Sequence, residues 1–310
     1  MYDRLFGLSF FSILIFTACH DKPLSTVDEE FDVSVYTPAY LTSRPKVLFD
    51  EGHENHHKSN GTYKPFANLI INDGVDLAIT DKPASGQILS GFSLYIIVNA
   101  KGKSELNDSP AFTMQECDAV EEWVKEGGSL LLITDHFPFG SAVENLAKKF
   151  HVEMQKGIVQ DSIYNDKTSK DESQLEFSRK NKLLQECELT KGIDKVISFT
   201  GQSIRCEDSC ISFLNLSDFA YDMTAKTEVI KDGNDTRVNV SFVNPQSAKG
   251  RSQGVALTYG QGRVVVLGEA GMLTAQFNRD HSKFGMNVNA DNKILALNIM
   301  HWLIPPPRKN

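Results

Sequence analysis

Short apolar stretches alternate with amphipathic ones between residues 46 and 134, and that alternation leaves the chain few architectures. Lys46–Asp50, Asp76–Thr80, Ser93–Val98 and Ser129–Thr134 read as strands, most of them apolar throughout. Strands buried on both faces of a parallel sheet have this character. Between them, Thr62–Asp73 reads as a helix with Tyr63, Phe66, Leu69 and Ile70 on one side, closed by Gly74. Thr113-Met-Gln-Glu116 is a capping box. It opens a helix with Cys117, Val120 and Val124 on one face, which Gly127-Gly128 stops. Ser141-Ala-Val-Glu144 has the same capping pattern. Strand and helix in short alternation predict an α/β fold, a three-layer sandwich with a mostly parallel sheet.

The later chain changes character. Residues 157–235 are polar and charged and read as a long insertion with extra strands such as Val196–Phe199 and Ile211–Leu214. The alternation resumes with Val238–Val243, Gly254–Tyr259 and Arg263–Leu267. Gly260 and Gly262 precede a strand, so they form a hairpin turn and not a phosphate loop. Asp291–Leu303 reads as a buried helix, ended by Pro305–Pro307.

The N-terminus reads as an export signal. Leu5–Ala18 is an apolar run after Arg4. At ~1.5 Å per residue it falls short of a ~30 Å hydrocarbon core. Its length and small-residue end suit a signal-peptide core over residues 1–18. Thr17-Ala18-Cys19 resembles a bacterial lipobox, with Phe16 where Leu is usual. The expectation is therefore a lipid on Cys19, a polar tether over 19–44, and a domain over 45–306 on the extracytoplasmic side of a membrane.

Charge narrows the partners. The 310 residues hold 40 acidic and 32 basic side chains, a net charge of −8. No block of Lys and Arg is present, so a nucleic-acid partner has no electrostatic footprint. Beyond Cys19 there are Cys117, Cys187, Cys206 and Cys210. Cys206 and Cys210 could close a small loop, or Cys187 could pair with either; the spacing is not that of a zinc site.

Chemistry concentrates where strands end. The first strand runs into Asp50-Glu51-Gly52-His53-Glu54-Asn55-His56-His57, the fourth into Asp135-His136, and the late strand Val264–Leu267 into Gly268-Glu269. In an open parallel sheet, ligands bind outside the carboxyl ends of the strands. Asp50, His53, Asp135, His136 and Glu269 are therefore the candidate catalytic residues. Glu51, Asn55, Gln202, Gln276 and Asn287 are candidates for ligand binding. Two carboxylates ~4 Å apart repel by about 4 kcal/mol at an effective dielectric near 20. A shared proton, a protonated imidazole or a divalent metal must offset that. His53, Asp135, His136 and Glu269 are the candidate metal ligands.

The segments FDEGHENHH, GGSLLLITDHFPFG, GRVVVLGEAGMLTAQ, GMNVNADN and LNIMHWL resemble an uncharacterised bacterial lipoprotein family. That family is related to the type 1 glutamine-amidotransferase-like, flavodoxin-like superfamily, and the resemblance spans about residues 46–304. It implies a flavodoxin-like sheet and marks Asp50, His53, Asn55, Asp135, His136, Glu269, Gln276 and Asn287 as motif positions. Amidotransferases carry their nucleophilic Cys after the strand comparable to Leu130–Thr134. Asp135-His136 stands there in this chain, which argues against glutamine amidotransfer.

Two readings follow. One is an envelope protein whose acidic, His-containing cleft binds or hydrolyses a small polar ligand such as a saccharide, by metal-activated water or by a carboxylate–imidazole pair. The other is a non-catalytic scaffold or receptor subunit, with the insertion as the surface for a protein partner.

Overall fold

The computed structural model describes residues 14–15, 25–102, 110–167, 171–207, 210–232 and 235–307. Its centre is a nine-stranded sheet: β1 (Lys46–Asp50), β2 (Asp76–Thr80), β3 (Leu94–Val98), β4 (Ser129–Ile133), β5 (Val152–Met154), β6 (Ile204–Cys206), β7 (Ile211–Asn215), β8 (Ser252–Tyr259) and β9 (Gly262–Leu267). The spatial order is β2-β1-β3-β4-β9-β8-β6-β5, with β7 also beside β8. The first five of these are mutually parallel. Taken in chain order they run 2-1-3-4-5, the order of flavodoxin-like sheets, with the direction of strand addition across the sheet switching between β1 and β3. From β8 onward the sheet is antiparallel.

The helices are α1 (Lys64–Asn72), α2 (Gly86–Leu89), α3 (Met114–Lys125), α4 (Phe139–Ala142), α5 (Glu144–Lys149) and α6 (Asn292–Leu303). Side chains alternate across each strand, so the sheet feeds two cores. Val47, Phe49, Ile96 and Val265 pack on one face with α1 and α6. Leu48, Tyr95, Ile97 and Val264 pack on the other with α3 and α5. The fold is thus mixed α/β, with a mostly parallel centre and many added strands.

The Thr113 capping box forms as read. Thr113 Oγ1 accepts from the Glu116 N–H at 3.3 Å, and Glu116 Oε2 accepts from the Thr113 N–H at 2.8 Å. The second expected box does not form. Ser141 lies inside α4, and α5 starts without a side-chain cap. The Glu144 carboxylate is drawn instead to Lys148 at 2.9 Å and Lys156 at 3.2 Å.

The added strands also depart from expectation. Val238–Val243 does not rejoin the central sheet; it belongs to a long hairpin, Ala220–Asp232 with Asp235–Ser247. Ile158–Asp161 pairs along the first arm of that hairpin, and Leu14–Ile15 along the second. The strands from Val152 to Tyr259 pair antiparallel, a stretch wider than 157–235. Cys206 and Cys210 form a disulfide, while Cys117 and Cys187 are free.

Residues 25–44 are packed, which corrects the tether expected over 19–44. Ser25–Val27 pairs with Ala275–Asn278, itself paired with Lys283–Gly285. Tyr40 is fully buried, its hydroxyl 2.5 Å from the Ile304 carbonyl and 3.1 Å from that of Met300. Gly74, at φ +102°, lets this happen: a Cβ there would come 2.8 Å from the Tyr40 backbone. Apart from Leu14–Ile15, the leader over 1–18 lies outside the described residues, as does Cys19. Among the described residues no helix is long and apolar enough to cross a membrane.

Candidate functional site

Asp50, Asn99, Asp135 and Glu269 stand at or just past the carboxyl ends of the neighbouring strands β1, β3, β4 and β9. One rim of the sheet therefore gathers the acids that the sequence placed there. The side chains fall into two sets.

The first set centres on His53, which is buried. Its Nδ1 lies 2.8 and 2.9 Å from the two Asp50 oxygens, and its Nε2 lies 2.9 Å from Glu116 Oε1. A carboxylate only accepts, so both ring nitrogens must donate and the ring must be an imidazolium. Burial pulls its pKa down, but the hydrogen bonds and charges of Asp50 and Glu116 outweigh that and raise it above 6.5. Glu116 shifts the other way. Burial opposes ionisation, yet His53 and Thr113 hold its pKa below 4.5. Asp50 also accepts from the Tyr95 hydroxyl at 2.9 Å and from Asn55 Nδ2 at 3.0 Å. Asn55 Nδ2 further reaches the Val98 carbonyl at 3.1 Å, binding the loop to β3.

The second set is the pair Asp135 and Glu269, both buried. Asp135 Oδ1 accepts from the His136 N–H at 2.7 Å, Oδ2 from the Ala270 N–H at 3.3 Å, and the Asn99 side chain also bonds to it. Glu269 accepts from the Gly271 and Met272 N–H groups. Burial raises both pKa values, and the Asp135 charge pushes Glu269 up further, well above 4.5. Both carboxyls therefore hold their protons to higher pH than exposed ones do. Glu269 thereby also satisfies the first N–H groups of the turn Gly271–Leu273.

Further imidazoles stand in the loops after β1 and β4. His136 is half-buried, with Nδ1 2.5 Å from the Phe137 carbonyl and Nε2 3.8 Å from Asp135 Oδ1. His56 is exposed and packs on Phe139. His57 is buried against Tyr63, and burial with the His56 charge pushes its pKa down to about 3. The Tyr63 hydroxyl donates to the Ala270 carbonyl at 2.7 Å, tying α1 to the Glu269 turn.

The remaining predicted residues act inside the fold. Glu51 accepts from Ser59 N–H and hydroxyl at 2.8 and 2.7 Å. Gln202 donates to the Asp135 carbonyl at 2.8 Å and accepts from the Lys156 N–H at 2.8 Å, so it lies at the rim but spans backbone. Gln276 accepts from Ser25 at 2.6 Å, and Asn287 donates to Asp28 at 3.0 Å. These last two hold the segment from residue 25 onward, which explains their burial and corrects their reading as ligand-binding groups. The four-residue metal set is corrected too. His53 spends both nitrogens on Asp50 and Glu116, away from Asp135 and Glu269. Among the described residues no group of three or more His, Cys, Asp and Glu side chains is arranged to hold a metal ion.

Sequence reasoning missed Asn99, Gln253 and the second role of Glu116. Asn99 follows an apolar strand just as Asp50 and Asp135 do, so the signal was present. It is buried in the left-handed region at φ +43°, and its Oδ1 has no partner among the described residues. Gln253 Nε2 is likewise buried and unpartnered, across Gly201 from Glu269. Thr200, at φ +125°, carries a costly conformation for a β-branched residue immediately before that glycine.

No family model and no curated protein matches the chain. Solved structures resemble it in fold. The mmIFT52 N-terminal domain aligns at a TM-score of 0.60 and 12% identity, over 86% of this chain and 100% of that one. A cytoplasmic protein of Salmonella typhimurium aligns at 0.50 and 13% identity, over 84% and 98%. A ThuA-like protein of Bacteroides uniformis aligns at 0.42 and 13% identity, over 87% and 93%. At such identities the likeness concerns fold alone.

Proposed function

We propose that this is a lipid-anchored envelope protein whose Asp135–Glu269 rim binds, and by general acid–base chemistry hydrolyses, a small polar ligand such as a saccharide. One observation carries the reading: two buried carboxyl groups stand at the ends of adjacent parallel strands, each with its pKa raised by burial. Environments that push two carboxyl pKa values apart mark an acid and a base. Glu269 is the more deeply perturbed and serves as the proton reservoir. Asp135 keeps a side-chain exposure of 11% and stands beside His136, so it acts as the base toward an incoming hydroxyl or water. The unpartnered Asn99 Oδ1 supplies an acceptor beside it. The motifs quoted above resemble those of glutamine-amidotransferase-like, flavodoxin-like proteins, with Asp135-His136 in the nucleophile's place. On that reading amidotransfer is lost and the rim is put to other use.

Calorimetric titration of neutral mono- and disaccharides into the protein tests this, with Asp135→Asn in parallel. Saturable binding that weakens at least tenfold in the variant is expected. Absence of binding across the panel, or indifference to Asp135→Asn, removes the proposal. Incorporation of labelled fatty acid, abolished by Cys19→Ala, tests the anchor.

The hairpin Ala220–Asp232 and Asp235–Ser247 favours a second reading, a scaffold or receptor subunit. It lies outside the central sheet and exposes Val229 and Ile230. Partner capture lost on shortening the hairpin but kept in Asp135→Asn would favour that role over the rim.

A further inference from the structure

A cleft of about 610 Å³ opens at the opposite end of the sheet from the rim, where the chain enters β3 and β4. Small-molecule sites occupy roughly 300–1,000 Å³. One wall is the half-buried indole of Trp123, near the C-terminal end of α3. The ring lies against the backbone of Gly128, where an added Cβ would come 2.3 Å from it. Any other residue at 128 would force the indole out of the wall.

Glu122 and Glu126 also line the cleft and are the charged residues in its lining. Their placement is locally unfavourable. They are four residues apart, Glu126 being the C-cap of α3, so like charges lie on one side. They also sit at the C-terminal end of α3, where the helix dipole is negative. Lys125 offers slight relief, because its ammonium is committed to Glu121 at 2.9 Å and lies 3.9 Å from Glu122. The dipole, the two carboxylates and the indole face all attract positive charge, and the aromatic wall favours an organic cation over a hard metal ion. Ser90 and Ser93 add polar groups across the cleft.

We propose that this cleft binds a small organic cation, with an alkylammonium head seated on Trp123 between Glu122 and Glu126. It is a second site, independent of the rim chemistry.

Titration with tetramethylammonium chloride at constant ionic strength, read by tryptophan fluorescence of the full-length protein, tests it. A saturable change is expected with tetramethylammonium and none with neutral tert-butanol of similar shape. Trp123→Phe assigns the signal, since the chain holds 2 tryptophans. The isosteric double variant Glu122→Gln/Glu126→Gln, checked for folding by circular dichroism, should raise the half-saturation concentration about tenfold. A response that does not saturate, an equal response to tert-butanol, or an unchanged midpoint in the double variant overturns the proposal.

Discussion

His53 Nε2 donates to Glu116 Oε1 at 2.9 Å, joining the loop after β1 to the residue that caps α3. The same Glu116 oxygen accepts from the Ala84 N–H at 3.1 Å, so one carboxylate fastens three segments. Truncating it strands a buried imidazolium and removes a helix cap. Breaking a buried pair of this kind costs about 3 kcal/mol. Glu116→Ala should therefore lower unfolding free energy by roughly that amount in urea titrations, and a loss below about 0.5 kcal/mol would deny the pair its structural role.

The pair also sets a pH window. The His53 pKa is raised by folding, so its contribution is complete below 6.5 and is lost as pH climbs through the higher folded-state value. The Glu116 pKa is lowered, so its contribution is present above 4.5 and is lost as pH falls through the lower folded-state value. The stability difference between wild type and His53→Gln should peak between pH 4.5 and 6.5 and shrink at alkaline pH. Thermal melts across that range measure it; a flat difference would mean the ring is neutral.

Asp135 and Glu269 make the opposite kind of group. Their folded pKa values are raised, so the cost of ionising them is absent at low pH and grows as pH rises above the ordinary carboxyl range. Infrared spectra at neutral pH should show a protonated buried carboxyl. Glu269→Gln should abolish that band, and Asp135→Asn should move its titration to lower pH by removing the neighbouring charge. A spectrum with ionised carboxylates alone would overturn the raised pKa values.

Tyr40 anchors the N-terminal segment through the carbonyls at the end of α6. Tyr40→Phe should cost about 1 kcal/mol, the worth of one buried hydrogen bond. Removing residues 25–44 should cost far more, because it uncovers α1 and α6. Denaturant midpoints distinguish this from a free tether, for which both changes would be silent.

Some of this was readable before any coordinates. The apolar runs Val47–Phe49, Leu94–Val98 and Leu130–Ile133 announced parallel strands because burial on both faces leaves no room for a polar alternate residue. The acids that follow them had to reach one rim, since parallel strands share a carboxyl end. What Ser141 and Glu144 would do was not readable. Their pattern fits a capping box, but the pull of Lys148 and Lys156 on Glu144 depends on where the chain folds back. The same is true of Val238–Val243, whose strand character was evident while its partner was not.

Periodicity and local chemistry in the sequence alone determined the α/β class, the parallel centre, the α3 cap and the gathering of acids. Only the tertiary structure decided how those acids divide: His53 to Asp50 and Glu116, Glu269 to Asp135, and Gln276 and Asn287 to the N-terminal segment. The physical reason is range. Strand and cap signals act within a few residues, whereas His53 and Glu116 are 63 positions apart and Asn287 and Asp28 are 259. Which buried polar group satisfies which is fixed by packing across that distance, and packing also sets the pKa values on which the proposed chemistry depends.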